Sequence, residues 1–390
     1  MSAEGRLDIR VTRAGRGDAR ATIRSSRPAS LANVLVGRDA ASAVRLLPQL
    51  YSVCGVAQGV AAATAGERAL GMASPAGTAL ARKLLVAAET WREHLLRIQR
   101  DWPQTDAGMS ARLPEVMQPL PELLARASTP ASPLALGART EPDAEVLRPP
   151  VAAMGTLSEE LVLGEPPTRF LERESLADLE AWCLAGATPA ARTLQDLLRR
   201  GWQSAGNGAT SFLPPLADDE LLGLMLGDGA AAFTAAPTWE GRPRETSTYS
   251  RQAGRPLVRA LAARCGNGLL TRMAALLVEV ASLPVAMHAL LDEIGSANDA
   301  PQGATEDGAG IAQVEAARGR LAHGVEIRGG VVARYSILAP TEWNFHAEGA
   351  AARGLESLHD PDPANLSRQA ELLIHAIDPC VGYRLEWADA

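Results

Sequence analysis

The stretch EAARGRLAHGVEIRGGVVARYSILAPTEWNF (315–345), followed by IDPCVGY (377–383), decides how this 390-residue chain is read. Within it, GVEIRGGVVARYSIL (324–338) places apolar and β-branched residues on both sides of Gly329-Gly330. That pattern predicts a hairpin turning at the two glycines, because a two-residue turn needs positive φ at both central positions. Downstream, ANLSRQAELLIHAI (364–377) reads as a final helix leading into DPCVGYRLEWADA.

Working outward, the N-terminus offers a second hairpin. RLDIRV (6–11) and ARATIR (19–24) alternate in residue type around the turn signal AGRGD (14–18). Helical pattern runs from about Ala40 to Leu70 and again from Thr78 to about Arg100, where Leu80, Leu84, Ala88, Trp91 and Leu95 repeat on one face. Residues 125–156 are rich in Pro, Ala and small polar residues and read as an irregular connection. Residues 172–202 are helical, 203–254 loop-like and 255–296 helical, and SANDAPQGATEDGAG (296–310) is an acidic, Gly-rich break. The expected class is mainly α with small β hairpins (α+β), not a series of βαβ units. One unit spanning 1–390 is expected, with an N-terminal part (1–102), a divergent middle (103–236) and a C-terminal part (237–390).

Composition narrows the function. Lys+Arg total 38 against Asp+Glu 45, a formal charge of −7, and Lys83 is the sole lysine, so a general nucleic-acid binder is not expected. The first residues hold no apolar core of signal-peptide length, and LLVEVASLPVAMHALL (276–291) is interrupted by Glu279, Pro284 and His288. The expectation is a cytoplasmic protein with no membrane partner. The four cysteines form no CxxC pair, and no histidines fall at metal-ligand spacing, so His94, His288, His323, His346, His359 and His375 are read as structural. LGDGAAAF (226–233) and CGNGLLTR (265–272) lack the spacing of a complete phosphate loop.

The opening stretch nevertheless resembles the large subunits of nickel–iron hydrogenases, which carry an EAPRGxLxH segment, a hairpin, a PTTWN box and a terminal DPCxxCxxH. Further segments are similar to that family: EGRLDIRV (4–11), LVGRDAASA (35–43), YSVCGVAQGVAAATAGE (51–67), HLLRIQRDW (94–102) and PTWEGRPRETSTYSR (237–251). The order and spacing match. The resemblance implies a large-subunit-like fold, and it covers both ends and part of the middle. It is weakest between about 103 and 230.

In those enzymes, as the resemblance implies, two CxxC pairs supply four thiolates to the nickel–iron centre. Here the pairs become Tyr51/Cys54 and Cys380/Tyr383, so one thiolate survives in each. Cys54 matches a bridging position and Cys380 a nickel-only position. The histidine after the first pair is Gln58, and the terminal histidine is Glu386. Nickel in this setting needs four soft donors, and phenol oxygen is a poor substitute, so no nickel is expected. Two cysteines could still hold one iron already carrying CO and cyanide. By the same resemblance Arg318 lies over the metals, Asp101 and Asp378 lie beside it, and Pro340 and Thr341 line the cyanide pocket. Glu4 matches a glutamate that moves protons. Tyr51 and Tyr383 are expected to plug vacated space, and Cys183 and Cys265 to be core residues.

These departures resemble the hydrogenase accessory proteins of the HupK/HoxV family. The resemblance implies a non-catalytic scaffold that transiently holds Fe(CN)2CO, with a HypC/HupF-like chaperone and a hydrogenase large-subunit precursor as partners. Only Trp387–Ala390 follow Glu386, so no processing step is expected. The alternative is a metal-free interaction protein that keeps the fold. A relative of the respiratory complex I component would be expected to lack Cys54 and Cys380.

Overall fold

Strand β1 (Arg6–Ala14) buries Leu7, Ile9 and Val11 and turns Arg6 and Arg10 outward, the alternation of a half-buried strand. The computed structural model describes residues 5–14, 18–27, 29–51, 53–103, 107–295 and 307–389. Strand β2 (Asp18–Ser25) pairs antiparallel with β1, Ile9 opposite Ile23. A second sheet is the meander β3 (Ala309–Ala316), β4 (Gly319–Arg328), β5 (Val331–Leu338). Its β4–β5 hairpin turns at Gly329 and Gly330, with φ of 58° and 73°. Both expected hairpins are present.

Strand β6 (Gly382–Asp389) was not foreseen. It adds to β1 in parallel, Ile9 opposite Leu385, and so carries the segment after Cys380 back to the N-terminal hairpin. Strand β3 also begins at the end of the segment read as a break.

Between the sheets lies a helical body. Helix Leu269–Ile294 packs on helices Ala76–Asp101 and Ala144–Ser158. By length and composition it could cross a bilayer, yet Leu270, Leu277, Val280 and Leu291 are buried against those neighbours, which makes it the central core helix. The expected helix over 40–70 is two, Ala40–Leu50 and Gly55–Ala69, interrupted at the first cysteine motif. Helix Gly55–Ala69 lies flat on β3 and β4. Its small residues permit this contact, and so does Gly310, where a Cβ would sit 2.3 Å from the Ala65 carbonyl oxygen.

The irregular reading of 125–156 holds only to Asp143. The remainder is the first part of helix Ala144–Ser158, capped by the Asp143 carboxylate on the Glu145 and Val146 N–H groups. Residues 203–254 also contain short helices, Asp218–Leu226, Ala230–Ala235 and Thr248–Gln252. Glycine and proline punctuation in these regions hid short helices whose burial is supplied by neighbours.

Candidate metal centre

Each cysteine motif interrupts its regular structure in a left-handed residue. Among the described residues, only Cys54 (φ 60°), Asp378 (φ 64°) and Glu240 (φ 52°) combine a side chain with positive φ. Such a conformation costs of order 1–3 kcal/mol and persists where surrounding contacts enforce it. Cys54 occupies the N-cap of helix Gly55–Ala69, a place where its side chain makes no cap. Glu89, from helix Ala76–Asp101, takes over: its carboxylate accepts from the Val56 and Ala57 N–H groups at 2.8 and 2.9 Å. The helix start is thus satisfied from a distance, which frees the Cys54 sulfur to point elsewhere. Asp378 ends helix Pro363–Ile377 in the same way and launches Pro379 and Cys380 toward the first motif.

Cys54 and Cys380 line one small cavity, together with Tyr51, Gln58, Arg27 and Pro340. Each sulfur has a guanidinium beside it. Arg318 Nη1 donates to Cys54 Sγ at 3.3 Å, and Arg27 faces Cys380. The Thr341 hydroxyl lies 2.9 Å from Cys380 Sγ and accepts from the Cys380 N–H at 3.1 Å. Burial pushes the Cys54 thiol up, and Arg318 opposes this only in part. Cys54 is therefore a thiol in this form, and binding a metal there releases its proton.

Arg318, 4% exposed, anchors a buried ion network. It meets Glu93 Oε2 at 3.2 Å and Asp378 Oδ1 at 3.3 Å. Arg97 bonds the same Asp378 oxygen, and its other amino group bonds Asp101 Oδ2 at 2.5 Å. Burial alone would raise the Asp378 carboxyl, but Arg318 and Arg97 outweigh it and hold the group below its ordinary range. Asp101 was expected beside Arg318; it reaches it only through Arg97 and Asp378. Glu89, Glu93, Arg97 and Asp101 stand four residues apart on one helix, so they form a single column. The spacing was visible in the sequence, but a column of charges ordinarily marks a solvated face.

The PTEWN segment acts as a clamp. Asn344 accepts from the Thr246 N–H at 2.9 Å and donates to the Thr246 and Arg318 carbonyls at 2.7 and 3.2 Å. These bonds fix the backbone that carries Arg318. Gly319, at φ 127°, completes the contact: a Cβ there would lie 2.0 Å from the Thr246 oxygen. Sequence reading gave this box Trp343 as its core residue, and Trp343 is indeed buried.

Of the two tyrosines, Tyr51 lines the cavity but Tyr383 does not. The Tyr383 hydroxyl pairs with His375 Nε2 at 2.8 Å, and burial raises its phenol to about 12. Gln58 accepts from the His323 ring at 2.8 Å, and the other ring nitrogen meets the Tyr335 hydroxyl at 2.8 Å. His94 bonds Glu279 at 2.7 Å. These three histidines are structural, as expected, and Cys183 and Cys265 are buried core residues. Glu4 lies outside the described residues.

The donor set fits iron better than nickel. Among the described residues no three His, Cys, Asp or Glu side chains converge on one point. A four-sulfur nickel site therefore cannot form, whereas an iron that brings its own diatomic ligands needs few protein donors. The guanidiniums of Arg27 and Arg318 and the Thr341 hydroxyl supply hydrogen-bond donors suited to anionic ligand nitrogens. The cavity measures ≈ 10 Å³, about the space of one water. Loading it requires a wall to move.

A family of nickel-dependent hydrogenases matches residues 233–383. Over 94% of its length the chain is 33% identical to the hydrogenase expression/formation protein HoxV of Cupriavidus necator, spanning 93% of that protein. It is 31% identical to the hydrogenase expression/formation protein HupK of Bradyrhizobium diazoefficiens, over 100% of this chain and 99% of that one. The Ni-Fe-Se hydrogenase of D. vulgaris Hildenborough superposes with a TM-score of 0.65 at 17% identity, over 94% of both chains. This last likeness establishes the large-subunit-like fold.

Proposed function

Because the chain belongs to the family of hydrogenase expression/formation proteins that includes HoxV and HupK, we propose that it acts in hydrogenase maturation as a non-catalytic carrier of the Fe(CN)2CO unit. One observation carries the reading: two cysteines distant in sequence line one cavity, each beside its own arginine. Cys54 and Cys380 would hold the iron. Arg318, Arg27 and Thr341 would bond the diatomic ligands, and Pro340 would form an apolar wall.

Two thiolates, rather than four, favour a cargo that leaves again. The Arg318 guanidinium stabilises the Cys54 thiolate once iron displaces its proton, and the Glu93 and Asp378 carboxylates hold that guanidinium in place. The recipient in this reading is a hydrogenase large-subunit precursor, and the donor a small chaperone of the HypC/HupF kind.

The test is infrared spectroscopy of protein purified without oxygen from a hydrogenase-expressing host. Bands in the CO/cyanide window are expected in the wild type and should be absent in Cys54→Ala and Cys380→Ala. A wild type without bands would overturn the carrier reading. The small cavity would then favour a metal-free interaction protein that keeps the fold.

A further inference from the structure

The cysteine cavity is closed, but it shares a wall with a larger space. A cleft of ≈ 600 Å³ opens beside β5 and the helix Ala230–Ala235. Arg27, Tyr51 and Ala339 line both the cleft and the cysteine cavity. Ala339 has no side chain able to swing. The partition is therefore made chiefly by two side chains, Arg27 and Tyr51.

Arg27 is held in this place by several contacts. Its Nη1 lies 3.4 Å from both carboxylate oxygens of Glu342, and its guanidinium carbon is 5.9 Å from the centre of the Tyr51 ring. On the inner side it faces Cys380. The side chains of Arg27 and Glu342 are 15% and 9% exposed, so the pair is largely shielded from solvent. Arg27 sits just past the end of β2, outside any helix or strand, where no backbone ladder fixes it. Glu342 belongs to the PTEWN segment, whose Thr341 touches Cys380 and whose Asn344 holds the Arg318 backbone.

The geometry points to Arg27 as a latch, paired with Glu342, that closes a loading port between this cleft and the Cys54/Cys380 cavity. The inference rests on the carrier reading for the identity of what passes: an iron atom with small anionic ligands. Swinging Arg27 outward joins the two spaces. It also leaves a mobile cation at the mouth, able to meet an anionic complex and return with it. The 3.4 Å contact is long for a charge-assisted bond, as suits a pair that must break and re-form.

The test uses the metal-free full-length chain and therefore does not depend on the cargo. Cys54, 6% exposed in the closed form, is alkylated with iodoacetamide, and its labelling rate is read by peptide mass spectrometry. Arg27→Ala and Glu342→Gln are each expected to speed Cys54 labelling about tenfold, the effect of losing one buried charged contact. Arg27→Lys, which keeps the charge, should stay near wild type. Cys183, buried in the helical core, reports general loosening. Unchanged Cys54 labelling in both variants overturns the latch, as does a parallel rise at Cys183 in both. Infrared bands with unchanged labelling would remove the port and leave the carrier. Faster labelling without bands in the wild type would remove the carrier and leave the port.

Discussion

Replacing Arg318 by Met and Asp378 by Asn, singly and together, tests whether the ion network behind Cys54 is one coupled unit. Both side chains are almost fully buried, and each keeps other partners when one is removed: Arg97 for Asp378, Glu93 for Arg318. Removing one member of a buried pair leaves an uncompensated charge and costs roughly 3–5 kcal/mol. The remaining partners soften this, so each single variant is expected to lose about 3 kcal/mol. Asn accepts the left-handed backbone of position 378, so the change tests charge rather than conformation. If the two residues act on each other, the double variant should fall short of the sum by about 2 kcal/mol. The assay is urea unfolding followed by circular dichroism at pH 7. The sign of the pH effect follows from the depressed Asp378 carboxyl. Its stabilising share is present above the ordinary value of 3.8 and is lost as pH falls through its lower folded value. The coupling should therefore shrink at acid pH. Additivity within about 0.5 kcal/mol at pH 7 would refute the network.

Three further outcomes are expected. Asn344→Ala removes an acceptor and two donors and should cost about 2–3 kcal/mol, read as a shift of the urea midpoint; a change below roughly 0.5 kcal/mol would show that the clamp is dispensable. Gly319→Ala sets a Cβ against the Thr246 oxygen at a φ closed to side chains and should cost at least about 3 kcal/mol, so a thermal midpoint equal to wild type would refute the close approach. Burial lowers His323 from 6.5 to about 3, so its stabilising share is complete above 6.5 and drains as pH falls across that window. His323→Gln should flatten the stability–pH curve between those values, and an unchanged slope would show that His323 does not titrate with folding.

Local pattern carried the parts of the fold that are locally determined. The Gly329-Gly330 turn and the N-terminal alternation are properties of neighbouring residues, and both hairpins form where the pattern puts them. The interruption of the first long helix at Cys54 was not legible, because the Glu89 carboxylate that permits it comes from another helix. Strand β6 was missed for the same reason: its partner β1 lies at the opposite end of the chain.

The sequence by itself determined the chemistry available to the site: two surviving thiols, two tyrosines at the vacated positions, and an arginine and an aspartate in matched motifs. Tertiary structure alone decided which of these meet. It brought Arg27 to Cys380, set Asp101 one arginine away from Arg318, and turned Tyr383 toward His375. It also buried the charged column Glu89, Glu93, Arg97 and Asp101 that periodicity would have placed in water. Spacing along a helix fixes which side chains share a stripe; whether that stripe faces solvent or a neighbouring motif depends on packing between distant segments, which no local pattern encodes.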